Sequence, residues 1–161
     1  MVDKIRTVVG SVYIPPGDII ALDILDTVIG NILQTHQHVI IAMDANSRNI
    51  LWDDKCIGIP ASRRSIQMGN KLEDVLYKHG LTVLNSGVCT YSSGNVCSAP
   101  DVSLIKGLQQ HGAVRWSIVD DDLGSPHEGI LIDVGHSVKT GRRTVIDWRQ
   151  FDWKAYRDAT T

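Results

Sequence analysis

The pattern of apolar and polar positions near the N-terminus predicts a strand, a helix and a second strand. Residues 7–14 are β-branched and apolar and stop at Pro15, which has no backbone N–H to donate, so they predict a buried strand. After Asp18, a suitable N-cap, apolar residues recur at helical spacing as far as about Gln34. The continuous apolar run at residues 39–43 then predicts a central strand covered on both faces.

The middle and later parts of the chain predict a long polar loop, one more helix and several short strands. The loop covers residues 47–65 and has Trp52 as its one large apolar anchor. A helix is predicted at 66–79, with Gly80 as its C-terminal stop. Short strands are predicted at residues 81–85, 88–91, 96–98, 101–105, 114–119 and 130–134. Because the helices come early and the late strands are close enough to pair, we expect a mixed α/β (α+β) class, with sheets packed under helices.

Composition limits the size and setting of this fold. The chain has 161 residues, 43% of them hydrophobic, and a formal net charge of −2, so it can bury one core and is one domain or part of one. No apolar run approaches the roughly 20 residues of a membrane span, and the N-terminus lacks the apolar stretch of a signal peptide. We therefore expect an intracellular protein with no membrane partner. The near-neutral charge gives no support of its own to nucleic-acid binding, so that function has to be argued from a site.

The three cysteines leave two interpretations open. Cys56, Cys89 and Cys97 lack the CxxC spacing of a zinc motif, which favours free thiols in a reducing compartment. Cys89 and Cys97 also flank a predicted hairpin tip, so a disulfide between them is an alternative.

Two pairs of polar residues could carry chemistry on a phosphodiester. Asp44 and Asn46 follow the predicted central strand with a spacing of two, so both side chains point the same way; a carboxylate can orient water and an amide can donate to a phosphate oxygen. A plain turn would use the same residue types. Asp101 and His127 form the second pair, in which the carboxylate would fix the imidazole tautomer. Tyr13, at a predicted strand end, could reach a phosphate or instead close an edge of the core.

The C-terminal tail differs from the rest of the chain. After Gly141 aromatic residues alternate with basic ones, as in Trp148, Arg149, Trp153 and Lys154. A linker helix that docks on a neighbouring domain and a nucleic-acid contact built from stacking and phosphate pairing are both open. We therefore divide the chain into a domain at residues 1–140 and a junction at 141–161.

Taken in order, these motifs resemble the endonuclease/exonuclease/phosphatase superfamily, whose fold is DNase I-like. The similar segments are Ser11-Val12-Tyr13-Ile14-Pro15, Met43-Asp44-Ala45-Asn46-Ser47 with Trp52 downstream, Leu81-Thr82-Val83-Leu84-Asn85, Thr90-Tyr91, Pro100-Asp101-Val102-Ser103-Leu104 and Ser125-Pro126-His127. Within the superfamily, the chain is most similar to the apurinic-type endonuclease domain of R1-like non-LTR retrotransposons. The tail resembles the linker that leads to the reverse transcriptase of such elements.

This resemblance implies a fold, a reaction and a role for each site residue. The fold is a four-layer α/β/β/α sandwich, and the reaction is a magnesium- or manganese-dependent nick in target DNA that primes reverse transcription. Asp44 would activate water, Tyr13 would contact the scissile phosphate, and Asn46 and Ser125 would bind it. Asp101 would hold His127, which would stabilise the transition state. These side chains should meet in one pocket, with DNA and the reverse transcriptase domain as partners and the nucleus as the place of action.

Two departures from the family pattern bear on activity. Nothing ahead of Tyr13 matches the family segment that supplies a strand ending in Asn and a metal-binding Glu, so residues 1–140 correspond to the C-terminal two-thirds of such a domain. The family's Ser-Asp-His motif reads Ser125-Pro126-His127, without its carboxylate. The metal ligands are therefore unassigned, and the resemblance implies a weakly active or inactive fragment. A non-catalytic binding module and a phosphatase for small phosphoesters of the same fold are the alternatives.

Overall fold

The computed structural model describes residues 6–56, 61–109, 113–119 and 124–135. The predicted junction at 141–161 lies outside the described residues. The elements are, in chain order, β1 (Thr7–Tyr13), α1 (Ile19–Leu33), β2 (His38–Asp44), α2 (Ile50–Asp53), α3 (Arg63–His79), β3 (Thr82–Val83), β4 (Tyr91–Ser93), β5 (Val96–Ser98), β6 (Asp101–Lys106), β7 (Ala113–Val119) and β8 (Gly129–Gly135).

The main sheet is mixed and has four strands in the order β1-β2-β6-β3. Strand β1 runs parallel to β2, and helix α1 makes the crossover between them. Strand β6 is antiparallel to both β2 and β3. Strands β4 and β5 form a hairpin, and β7 and β8 form a separate antiparallel pair. The central position predicted for residues 39–43 is confirmed, since β2 has a neighbour on each side.

Both long helices begin and end at residues that suit these positions. The Asp18 side chain accepts a hydrogen bond from the Ala21 N–H and caps α1, and the helix ends at Leu33, as the sequence predicts. Helix α3 begins at Arg63, three residues earlier than predicted, because Ser62 caps it by accepting from the Ser65 N–H. Gly80 ends α3 in the left-handed conformation, with φ of 61°.

The core lies between the helices and one face of the main sheet. Alternate residues of β2 point into it: Val39, Ile41 and Met43 are buried and belong to the same apolar cluster as residues of α1 and α3. Trp52, in α2, is fully buried, which confirms it as the anchor of the long loop. The second face of β2 is only partly covered by the described residues, because Ile40 is half-buried whereas Ala42 is exposed. The predicted cover on both faces is therefore met only in part.

A strand predicted at 81–85 is much shorter in the structure, for a reason of hydrogen bonding. The Asn85 side chain takes over the pairing with β6 by donating to the Asp101 carbonyl and accepting from the Ser103 N–H, each at 2.8 Å. Regular pairing with β6 is therefore limited to Thr82–Val83. The strand predicted at 88–91 begins only at Tyr91, although the Thr90 backbone N–H still donates to the Ser98 carbonyl at 2.9 Å.

The β7–β8 pair contacts the face of the main sheet that the helices leave open. The Trp116 indole N–H donates to the Ser103 hydroxyl at 3.1 Å, and Ser103 pairs with Ala42 across β6 and β2. The described residues thus form a helical layer, the main sheet and a further pair of strands.

Cys89 and Cys97 are joined by a disulfide with a Cα–Cα distance of 5.7 Å, so the free-thiol expectation is wrong for these two, whereas Cys56 is free. Their positions on either side of the hairpin tip bring them together, which the sequence offered only as an alternative.

Among the described residues no helix is long and apolar enough to cross a membrane.

Candidate functional site

Three predicted site residues form one row across three neighbouring strands. Tyr13 is in register with Asp44, and Asp44 is in register with Asp101. Directly paired residues project from the same face of a sheet, so all three lie on the face opposite the helical core. Tyr13 is 63% exposed and does not close the core, which was the alternative for this residue.

Asp101 holds His127 from a fixed position. The His127 Nδ1 lies 3.0 and 3.2 Å from the two carboxylate oxygens of Asp101. The Thr90 hydroxyl donates to the Asp101 Oδ2 at 2.7 Å, and the Asp101 backbone N–H donates to the same hydroxyl at 3.1 Å. Because a carboxylate accepts only, the ring proton resides on Nδ1, and Nε2 is available to a substrate.

His127 is also held through its ring and its backbone. The Tyr91 ring meets the imidazole edge to face, with 5.0 Å between centroids, and the two residues share an isolated β-bridge. The Ser125 hydroxyl accepts from the His127 backbone N–H at 3.1 Å. In this structure Ser125 therefore orients His127, and it lies in neither of the two cavities described below.

Asp44, Asp101 and His127 form a compact group that could hold a cation. One oxygen or nitrogen of each lies within 4.8 Å of the others. Burial raises the pKa of the Asp44 carboxyl, and the Asp101 charge adds to the rise, while the hydrogen bond from the Asn46 backbone N–H opposes it. Two carboxylates this close suit a divalent cation, because it relieves their mutual repulsion.

Asn46 has an unusual backbone conformation, with φ of 44°. Asn tolerates this left-handed region better than most residues, and its side-chain amide donates to the Ile14 carbonyl at 3.1 Å. The residue therefore ties the end of β1 to the loop after β2, in addition to any contact with substrate.

The site opens into two cavities rather than the single pocket expected. Tyr13, Asp44 and Asp101 line one of about 340 Å³. Asn46 and His127 line the other, of about 420 Å³, whose wall also includes the start of α3. The Asp101–His127 hydrogen bond joins the two sets of residues.

Sequence reasoning assigned no role to Thr90 or Tyr91, although both fall within a motif of the resemblance. Thr90 immediately precedes β4 and Tyr91 is its first residue, and no local pattern marks their contacts with Asp101 and His127. The Glu73 carboxylate, on α3, accepts from the Asn49 amide at 2.7 Å.

Comparison with known proteins identifies the class of this domain. A family model described as endonuclease-reverse transcriptase matches residues 7–131. The endonuclease domain of TRAS1, a telomere-specific non-LTR retrotransposon, is structurally similar, with a TM-score of 0.56 and 21% identity over 70% of this chain and 49% of that one. The chain thus spans about half the length of that domain. No curated protein matches the sequence.

The mixed sheet, the helices on one face and the Asp–His pair define a DNase I-like domain, so the predicted fold class is confirmed. The chain belongs to the endonuclease-reverse transcriptase family, and the predicted membership of the endonuclease/exonuclease/phosphatase superfamily is confirmed with it.

Proposed function

We propose that the domain is a divalent-metal-dependent phosphodiesterase that nicks DNA. The observation that carries the proposal is the Asp101–His127 hydrogen bond of 3.0 Å beside the Asp44 carboxylate. An oriented imidazole next to a carboxylate supplies both a proton donor and a base for attack by water on a phosphodiester.

Each of the candidate site residues has a role that its geometry supports. Asp44 orients the attacking water beside the ion that the same carboxylate would hold. His127 presents Nε2 to a phosphate oxygen, while Nδ1 stays bonded to Asp101. The exposed Tyr13 hydroxyl contacts the phosphate from the side, and Asn46 orients the phosphate. Ser125 contributes through His127, from whose backbone N–H it accepts a hydrogen bond.

A magnesium or manganese ion fits this donor set. Magnesium binds through one or two carboxylates and keeps several waters for exchange with substrate phosphate oxygens. Both oxygens of Asp101 are engaged by His127, so Asp44 is the principal ligand of the group. When bound, the ion neutralises the phosphate charge. One available carboxylate is a sparse set, and we therefore expect slow nicking by the chain as it stands.

The substitution Pro126→Asp tests this account. Pro126 is exposed and precedes His127, and its carbonyl, which accepts from the Ser92 N–H, is unchanged by the substitution. A carboxylate there adds a hard ligand beside the group, so we expect supercoiled plasmid to relax about tenfold or more faster with magnesium. The same chain with His127→Ala should leave the plasmid supercoiled.

The variant His36→Ala is the control for the plasmid-nicking experiment. His36 lies near the start of β2, at the opposite end of the strand from Asp44, so His36→Ala should nick at the parent rate. Failure of Pro126→Asp to nick at a molar excess of protein, or equal nicking after His127→Ala, would contradict the proposal.

We further infer that the domain works beside a reverse transcriptase domain of the same polyprotein, on chromosomal DNA in the nucleus. The family description and the Trp-rich basic tail support this. Cleavage for priming leaves a 3′ hydroxyl, so a DNA polymerase should extend the nicked strand without treatment of its end. Nicked plasmid that is extended only after phosphatase treatment would exclude a priming role.

A further inference from the structure

The fold brings all three cysteines of the chain to one place, away from the Asp–His group. The Sγ atoms of Cys56, Cys89 and Cys97 all lie within 4.8 Å of one another. Cys56 follows α2, Cys89 precedes β4, and Cys97 lies in β5. The sequence gives no zinc motif here, because 32 residues lie between Cys56 and Cys89.

Several contacts hold Cys56 against the hairpin base. The Lys55 N–H donates to the Gly87 carbonyl at 3.2 Å, and the Lys55 ammonium donates to the Ser86 carbonyl at 2.6 Å. The Cys56 thiol itself lies 3.6 Å from the Gly87 carbonyl oxygen. The approach of the third sulfur is therefore built into the packing of these two segments and does not depend on the disulfide.

The disulfide is one state of this cluster, and reduction gives another. A small-molecule thiol such as glutathione reduces the Cys89–Cys97 bond by exchange: two R–SH are consumed, one R–S–S–R is released, and each cysteine gains one proton. The reduced chain then holds three thiols within contact distance of a single ion. In a tetrahedral zinc site with Zn–S bonds of about 2.3 Å, the sulfurs lie roughly 3.8 Å apart. The Cys56 sulfur lies within 4.8 Å of the other two, and reduction of the disulfide would allow Cys89 and Cys97 to separate to that distance.

We propose that the reduced cluster is a three-thiolate site for a thiophilic metal ion of the Zn²⁺ class. Binding displaces the three thiol protons to solvent and leaves the fourth position of the ion to water. Asp53 and Asp54 lie close enough to act on Cys56 electrostatically and favour a cation, whereas Arg48, which is paired with Asp53, opposes it. Soft sulfur ligands select against magnesium, so this site and the Asp–His group take different ions.

The position of the cluster links it to the candidate active site. Cys89 immediately precedes Thr90 and Tyr91, which contact Asp101 and His127. Either the disulfide or the ion would fix the start of this segment. The ion would also join it to the α2 segment through Cys56.

The test uses Cd²⁺ as a spectroscopic probe of the reduced full chain, kept under argon with a phosphine reductant. We expect one Cd²⁺ per chain, with a near-ultraviolet charge-transfer band of three thiolates. The oxidised chain should give no such band. Cys56→Ser keeps the disulfide pair and should weaken Cd²⁺ binding by about a hundredfold, since one of three ligands is lost. Asp44→Asn, which changes the other candidate cation site, should leave the band unchanged.

The remaining outcomes also decide the proposal. Equal binding by the reduced parent and Cys56→Ser, or a band of only two thiolates, would overturn it. If reduction unfolds the chain, Zn²⁺ should restore the far-ultraviolet circular dichroism of the parent and not that of Cys56→Ser. Failure of Zn²⁺ to restore it would equally overturn the site.

Discussion

Asp101 is bonded to His127 through both carboxylate oxygens, and this contact determines which imidazole nitrogen faces a substrate. Replacement of Asp101 by Ala removes the acceptor of the Nδ1 proton. We expect the proton to shift toward Nε2, the nitrogen that should face the phosphate, as seen in the ring ¹⁵N chemical shifts of His127. Asp74→Ala, on the exposed side of α3, is the control and should change nothing. An unchanged tautomer in Asp101→Ala would show that Asp101 does not orient the ring.

Ionisation of the Asp44 carboxyl lowers the stability of the folded state. Its pKa is raised above the ordinary value of 3.8, chiefly by burial, so the folded state favours the protonated form. The stabilisation from that form is fully present below pH 3.8 and is lost as the pH rises through the raised pKa. We therefore expect Asp44→Asn to raise the melting temperature at pH 7, with the advantage disappearing toward pH 3.5. Thermal unfolding across this range measures it, and an Asn variant less stable than the parent at pH 7 would contradict the assignment.

The left-handed conformation of Asn46 makes a second prediction at this scale. An alanine at φ of 44° is strained by about 1–2 kcal/mol, whereas a glycine is not. Both variants lose the hydrogen bond to the Ile14 carbonyl. We therefore expect Asn46→Gly to be more stable than Asn46→Ala by about 1 kcal/mol in urea unfolding, the reverse of the usual order. If Asn46→Ala is instead the more stable variant, the loop relaxes around the alanine and the prediction is wrong.

At the scale of elements, helix α3 approaches the loop after β2 too closely for any side chain at Gly69. A β-carbon there would overlap the Arg48 carbonyl oxygen. We expect Gly69→Ala to lower the free energy of unfolding by about 1–3 kcal/mol, although alanine is the better helix former. Gly30→Ala, in α1, is the matched control, because its β-carbon meets only the His79 side chain, at 3.4 Å. We expect this substitution to raise the free energy of unfolding by up to about 1 kcal/mol. Similar effects of the two would contradict the close approach.

The elements also show how far the sequence could predict the fold. The two long helices and the long strands agree with the sequence prediction within three residues because their caps and apolar spacing are local signals, as with Asp18 and Gly80. The four-residue helix α2 is not predicted, because it lies within the segment assigned to a polar loop. Strand β3 is shorter than predicted because the Asn85 side chain pairs with β6. The same holds for the site: Asp44 and Asp101 follow from strand ends, whereas the contacts of Thr90 and Tyr91 and the meeting of the cysteines depend on tertiary structure.

At the scale of the whole molecule, β1 forms an edge of the main sheet among the described residues, and its outer face carries exposed apolar side chains. Val9 is 73% exposed, and Tyr13 lies on the same face. An unpaired edge with exposed apolar side chains favours association with a second chain. We expect the purified chain to elute as concentration-dependent oligomers in size-exclusion chromatography and Val9→Lys to increase the monomer. Tyr77→Lys, on an exposed position of α3, should not. A monodisperse parent would contradict this prediction.

The way in which His127 is attached to the fold determines what fraction of the folded protein has a complete candidate site. His127 lies on the segment leading into β8, none of whose described residues is fully buried, while Asp44 and Asp101 end strands that pack into the apolar cluster. Local opening of the β7–β8 pair would withdraw the imidazole and leave both carboxylates in place. The population with a complete site is then smaller than the population with native helices. Amide hydrogen exchange should show β8 exchanging well before β2, and solution conditions that protect β8 should increase the competent fraction without changing the helical content.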